Sequence, residues 1–173
     1  MRRIALVLAA LMLAFTVSSC GKEAAPTTTA QSFSCPTDNT KAFPKVRLAA
    51  DLGIAFGVFH HWIWNPYQAG GFKKGADHRL WKLGKAAVAA AVVTHYIGNA
   101  ADNVKADPTM CKVFGKPMAE LSDKVSNLKS IVTSGNLGDL TSVAGAVTSM
   151  TGLMSQNGQS ITESSDLNPT TQP

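Results

Sequence analysis

The sequence predicts an all-α fold, a small four-helix bundle-like domain, and three observations carry that prediction. Apolar residues recur at spacings of three and four through the middle of the chain, and no window alternates in the manner of a half-buried strand. Proline, glycine and asparagine punctuate the periodic stretches at intervals that suit short helix connections.

The first helix is expected over 44–64. Pro44 suits a first helical turn, Leu48, Leu52, Ala55, Phe59 and Ile63 form one apolar face, and Pro66 is expected to stop the helix. A second helix is expected over 77–105, with Asp77 as N-cap and Asp107-Pro108 beyond its end. Its inner stripe reads as the small residues Gly84, Ala87, Ala91, His95 and Gly98, a row that lets a neighbouring helix come close. The third, 117–134, carries the clearest stripe of the chain: Met118, Leu121, Val125, Leu128 and Val132. Gly135-Asn136 then turns the chain into a fourth helix, 137–156, with Leu137, Leu140, Ala144, Val147, Thr151 and Met154 on one face. So short a joint makes the last two helices an antiparallel hairpin. A competing reading pairs Leu52 to Trp64 with Ala86 to Val93 as a membrane hairpin, but neither stretch reaches the 18 or so uninterrupted apolar residues a span requires.

The chain divides into a leader (1–19), a linker (20–34), the helical domain (35–158) and a Ser-, Thr- and Pro-rich tail (159–173) expected to be loose. About 120 residues of ordered chain suffice for one hydrophobic core. The leader begins with Arg2-Arg3 and continues as 14 uncharged, mostly aliphatic residues, 4–17. As a helix that run is roughly 21 Å long, short of the ~30 Å hydrocarbon core of a bilayer, and it reads as the apolar part of a secretory signal.

Val17-Ser18-Ser19-Cys20-Gly21 resembles the lipobox of bacterial prolipoproteins, with an aliphatic residue three before the cysteine, small residues between and a glycine after. The resemblance covers residues 1–21 and implies that the Cys20 thiol receives diacylglycerol, that the signal is cut just before it, and that the mature chain starts at an acylated cysteine. One acyl chain holds a protein to a bilayer only marginally, whereas two or three hold it stably. The implied place is the extracytoplasmic face of a cell membrane. The remainder broadly resembles small secreted helical proteins of unknown function from high-GC Gram-positive bacteria, which implies no mechanism. With Cys20 assigned to lipid, Cys35 and Cys111 remain as one pair in an oxidising compartment, and a disulfide between them is expected, two buried free thiols being the alternative.

Charge is unevenly spread. The whole chain is +5, yet residues 41–85 alone are +6 while 120–173 are −3. Seven of twelve aromatic residues fall between Phe56 and Trp81, interleaved with lysine and arginine. Aromatic rings beside cations suit an anionic membrane interface, a protein partner or a stacked ligand. Trp62, Trp64, Tyr67, Phe72, Lys73, Lys74, Arg79 and Lys82 are therefore the expected interaction surface. The alternative is that the rings pack the end of the bundle and the lysines solvate it.

His60, His61 and His95 would converge if the first two helices pack antiparallel, which makes a haem or metal site the competing functional class. No Cys-x-x-Cys-His or His-Glu-x-x-His spacing supports it. Catalytic motifs are likewise missing: no Gly-x-Ser-x-Gly elbow and no phosphate loop occur. The expected function is a non-enzymatic interaction module, with no cofactor beyond the lipid on Cys20 and with an envelope protein or anionic head groups as partner. Nucleic acid is not expected to meet an exported, tethered chain.

Overall fold

The computed structural model describes residues 34–166; the expected signal peptide, Cys20 with its linker as far as residue 33, and the tail beyond 166 lie outside them. Among the described residues the chain is helical throughout and has no strand. Four rods make the bundle. The first joins α1 (Pro44–Phe59), a π turn (His60–Trp64) and α2 (Asn65–Gln68); the second is α3 (Arg79–Lys105); the third is α4 (Pro108–Ser126) followed by α5 (Leu128–Ser134); the fourth is a 3₁₀ turn (Leu137–Asp139) leading into α6 (Leu140–Gln156). Helix α3 packs against α1, α4 and α5, and α6 packs against α4.

Every member of the expected stripe on the first helix is buried: Leu48, Leu52, Ala55, Phe59 and Ile63. Met118, Leu121, Val125, Leu128 and Val132 of the third rod are buried as well. These side chains close one core with Phe56, Ile97, Leu140, Met150 and Met154. Cys35 and Cys111 form a disulfide with Cα atoms 5.6 Å apart, tying the segment ahead of α1 to the first turn of α4. The Thr40 amide donates to the Ala106 carbonyl at 2.9 Å beside that link.

Several boundaries differ from those expected. Pro66 does not stop the first rod, which continues to Gln68. In a regular helix a proline lacks the donor and its ring strikes the carbonyl four residues back. Here the preceding turn is wide, with the Asn65 amide reaching back to the His60 carbonyl, and the wide turn relaxes that clash. The third rod begins at Pro108, nine residues before the expected Pro117, which lies inside α4. Asp107-Pro108 is a helix start: the Asp107 carboxylate accepts from the amides of Thr109 and Met110, both at 2.8 Å, and proline fills the first position, where no amide donor is needed. Asp77 makes no cap, and α3 starts at Arg79 after His78 in the left-handed region, φ 54°.

The expected inner stripe of α3 faces outward. Gly84, Ala91, His95 and Gly98 are exposed and Ala87 is partly so, while Ala86, Ala89, Ala90, Val93, Ile97, Ala100 and Val104 are buried. Alanine occurs on every side of this helix and does not select a face; the larger Val93, Ile97 and Val104 do, because they remove more apolar area from water.

The expected loose tail is also replaced over its first half. Residues 159–166 run along the outside of α1 as a strap. The Ser164 amide donates to the Gly53 carbonyl at 3.0 Å, and Ile161 packs on the core. With α3 on one side and this strap on another, the whole run from Leu52 to Phe59 is buried, which accounts for its apolar character all round. Among the described residues no helix is long and apolar enough to cross a membrane.

Candidate functional site

The π turn sets the direction in which the next side chains point. One extra residue in a turn shifts the angular phase of the helix by about 100°. Ile63 remains in the core, while His61 is exposed and Trp62 half-buried at the surface. After α2 the chain reverses through Gly70, at φ 72°, and Gly75, at φ 89°, positions that glycine takes without strain. Phe72, 3% exposed, pins this loop to the core, and the Arg79 Nε donates to its carbonyl at 2.8 Å. The loop delivers the chain to the start of α3, where Trp81, Lys82 and Lys85 stand opposite Trp62.

An open cleft of about 540 Å³ results, walled by Trp62, Pro66 and Gly71 on one side and Trp81, Lys82 and Lys85 on the other, with His61 and Asn65 at its edge. The Lys85 ammonium lies 4.7 Å from the centre of the Trp62 ring and 5.1 Å from that of Trp81. Two indole faces thus share one cation, which orients both rings. The Trp62 indole N–H donates to the Ser165 carbonyl at 2.8 Å, so the C-terminal strap forms part of the site's frame. Gly71 admits the Lys82 stem: a Cβ there would lie 3.1 Å from Lys82 Cδ and from the Pro66 carbonyl.

The residues expected as an interaction surface separate into three groups. Trp62 and Lys82 line the cleft, and Lys73 and Lys74 are exposed on the loop beside it. Phe72 is buried, and Trp64 and Tyr67 are partly buried against the core, Trp64 stacked on Phe59 with ring centres 6.3 Å apart. Arg79 is turned inward to hold the loop. Sequence reasoning left Leu80, Trp81 and Lys85 off the surface, although Trp81 and Lys85 belong to the aromatic-basic segment. The signal that identifies them is phase, since the buried face of α3 passes through Ala86, Ala89 and Ala90 and leaves 80 and 81 on the outside.

Each histidine of the competing reading has its own neighbour. His60 Nδ1 pairs with the Glu163 carboxylate at 2.9 Å, His61 lies edge-on to Trp62 with ring centres 4.7 Å apart, and His95 Nε2 is 3.3 Å from the Asn99 side-chain amide. Among the described residues no group of three or more His, Cys, Asp or Glu side chains is placed to hold a metal ion.

A second polar feature lies at the far end of α3. Burial pushes the Asp51 carboxyl up to about 6, against the opposing pull of a 2.7 Å hydrogen bond from Asn103 Nδ2 and of His95, Lys41 and Arg47 nearby. Asn103 is buried, so this contact is a polar joint between α1 and α3. No protein family, curated protein or solved structure matches the chain.

Proposed function

We propose that this chain is a lipoprotein of the cell envelope, anchored through Cys20, whose helical domain is a non-enzymatic interaction module that presents the cleft between Trp62 and Trp81 to an anionic partner. The observation that carries the binding part is the Lys85 ammonium held between two indoles, beside Lys82, in an open cleft. The core closes without Trp81, so leaving that ring in water brings the fold nothing. Fixed aromatic faces with cations between them attract planar or apolar groups that carry negative charge, such as acidic side chains flanked by apolar ones or phosphate-bearing head groups.

Support for the anchoring part comes from the basic start, the apolar run and Val17-Ser18-Ser19-Cys20-Gly21 in that order, and from the Cys35–Cys111 disulfide, a bond that forms in oxidising compartments. Two measurements test the proposal. Intact mass of the native product is expected to show a chain beginning at residue 20 with diacylglycerol or more on the sulfur; an unmodified Cys20 overturns the anchor. Cross-linking in intact cells from Asn65, at the cleft edge, is expected to capture its neighbour in the native chain and to lose it in Trp62→Ala with Lys82→Gln. Undiminished capture by that variant overturns the cleft.

A further inference from the structure

Leu80 and Trp81 are neighbours in sequence, 80% and 67% exposed, and stand together at the first turn of α3. Among the described residues Phe43, Val46, Val88 and Val113 are exposed as well, but only Leu80 and Trp81 are adjacent in sequence and join into one apolar patch. Their surroundings are strongly one-signed: residues 69–85 contain Lys73, Lys74, Arg79, Lys82 and Lys85 against Asp77 alone. Lys73 and Lys74 are exposed on the loop, and Lys82 and Lys85 flank the cleft that Trp81 walls. The loop that carries Lys73 and Lys74 is held by the buried Phe72 and by Arg79, so the tip made by this loop and the first turn of α3 is fixed in place.

We infer that this tip docks on an anionic phospholipid surface, with Leu80 and the Trp81 indole entering the interface between head groups and acyl chains and the surrounding lysines meeting head-group phosphates. The assignment rests on the anchoring proposed above and deepens it by naming the partner of the cleft region. Chemistry favours lipid over a protein partner here because an indole prefers the interfacial layer, a leucine beside it adds apolar area, and cations around both match a negative surface without needing a complementary shape. Reach agrees as well. The 14 peptide steps from Cys20 to Ser34 span at most about 50 Å, so a chain acylated at Cys20 keeps the domain within contact distance of the bilayer it is anchored in.

The test uses the chain from residue 20 with Cys20→Ser, so that no acyl group binds the vesicles by itself, and unilamellar vesicles whose acyl chains carry bromine, in two compositions: phosphatidylcholine alone, and phosphatidylcholine with phosphatidylglycerol. Tryptophan emission is expected to be quenched in the anionic vesicles and hardly at all in the neutral ones. Trp81→Phe should remove most of the quenched signal while leaving Trp62 and Trp64 emitting. Lys73→Gln with Lys74→Gln should raise the lipid concentration for half-quenching roughly 25-fold, about fivefold for each charge lost near the surface. Both positions are exposed, and circular dichroism identifies any variant that fails to fold. Equal quenching in the two compositions overturns the inference. Quenching unchanged by Trp81→Phe does so too, as does a tip that stays unquenched while cross-linking from Leu80 in cells captures an envelope protein. Intact mass keeps the anchor separate: a bare Cys20 with charge-dependent quenching retains the surface and removes only the anchor.

Discussion

Helices α1 and α3 pack against each other, and each has a pair of interior glycines with opposite surroundings. On α1, a Cβ at Gly53 would collide with the Thr162 carbonyl, and one at Gly57 with the backbone of Ser164. On α3, a Cβ at Gly84 or Gly98 would have nothing within 4 Å. The first pair is a groove filled by the chain's own C-terminal strap; the second faces open space. A glycine inside a helix costs about 1 kcal/mol relative to alanine wherever it falls, because it orders more backbone freedom for no added contact. On α1 that cost is offset by a close backbone approach, and on α3 nothing in the fold offsets it.

The same substitution should therefore have opposite signs in the two helices. Gly57→Ala is expected to destabilise by about 1–3 kcal/mol, since the strap must move off α1 and Ile161 loses its packing. Urea unfolding measures the loss, and faster hydrogen exchange at the Ser164 amide locates it. The effect should extend to the cleft, because the Trp62 indole N–H depends on the Ser165 carbonyl. Gly84→Ala and Gly98→Ala are expected to stabilise by about 0.5–1 kcal/mol each, and to add, being about 21 Å apart along the helix. A loss of stability at either α3 site would break the comparison, for it would mean that something covers that face in solution.

Where the two helices meet, Asp51 sharpens the contrast. Its carboxyl is raised to about 6 from an ordinary 3.8, so between those values the folded chain holds a proton that the unfolded chain releases. Its contribution favours folding fully below about pH 4 and is lost as pH rises through 6. Asp51→Asn, which retains an oxygen to accept from Asn103, should accordingly be more stable than the native chain at pH 7–8, by about 1 kcal/mol once solvent screening of a half-exposed group is allowed for, and no different at pH 4. Thermal unfolding across that range reads the difference directly.

Legibility in the sequence followed side-chain size. The core positions of α1 and of the α4–α5 rod were readable because leucine, valine, phenylalanine and methionine are large enough to mark burial strongly, on one face in α4 and all round in the middle of α1. The α3 stripe was misread because glycine and alanine mark none. Prolines misled for a related reason: Pro66 and Pro117 read as boundaries, yet a π turn accommodates the first and α4 continues through the second. Within the candidate site, the aromatic-basic segment was evident in composition, but which rings face water was not. Phe72 and Trp81 look alike in the sequence; one pins the loop to the core and the other stands 67% exposed.

Fold class and the two strong apolar stripes were contained in the sequence, because each depends on local periodicity, whereas the pairing of Cys35 with Cys111 was expected only once the lipobox resemblance had set Cys20 aside. Which face of α3 turns inward, where the strap lies and which aromatic rings form the cleft were decided by tertiary structure. Those outcomes depend on contacts between residues as far apart as Gly53 and Ser164, and a local pattern of small residues is equally compatible with a filled groove and with an open face.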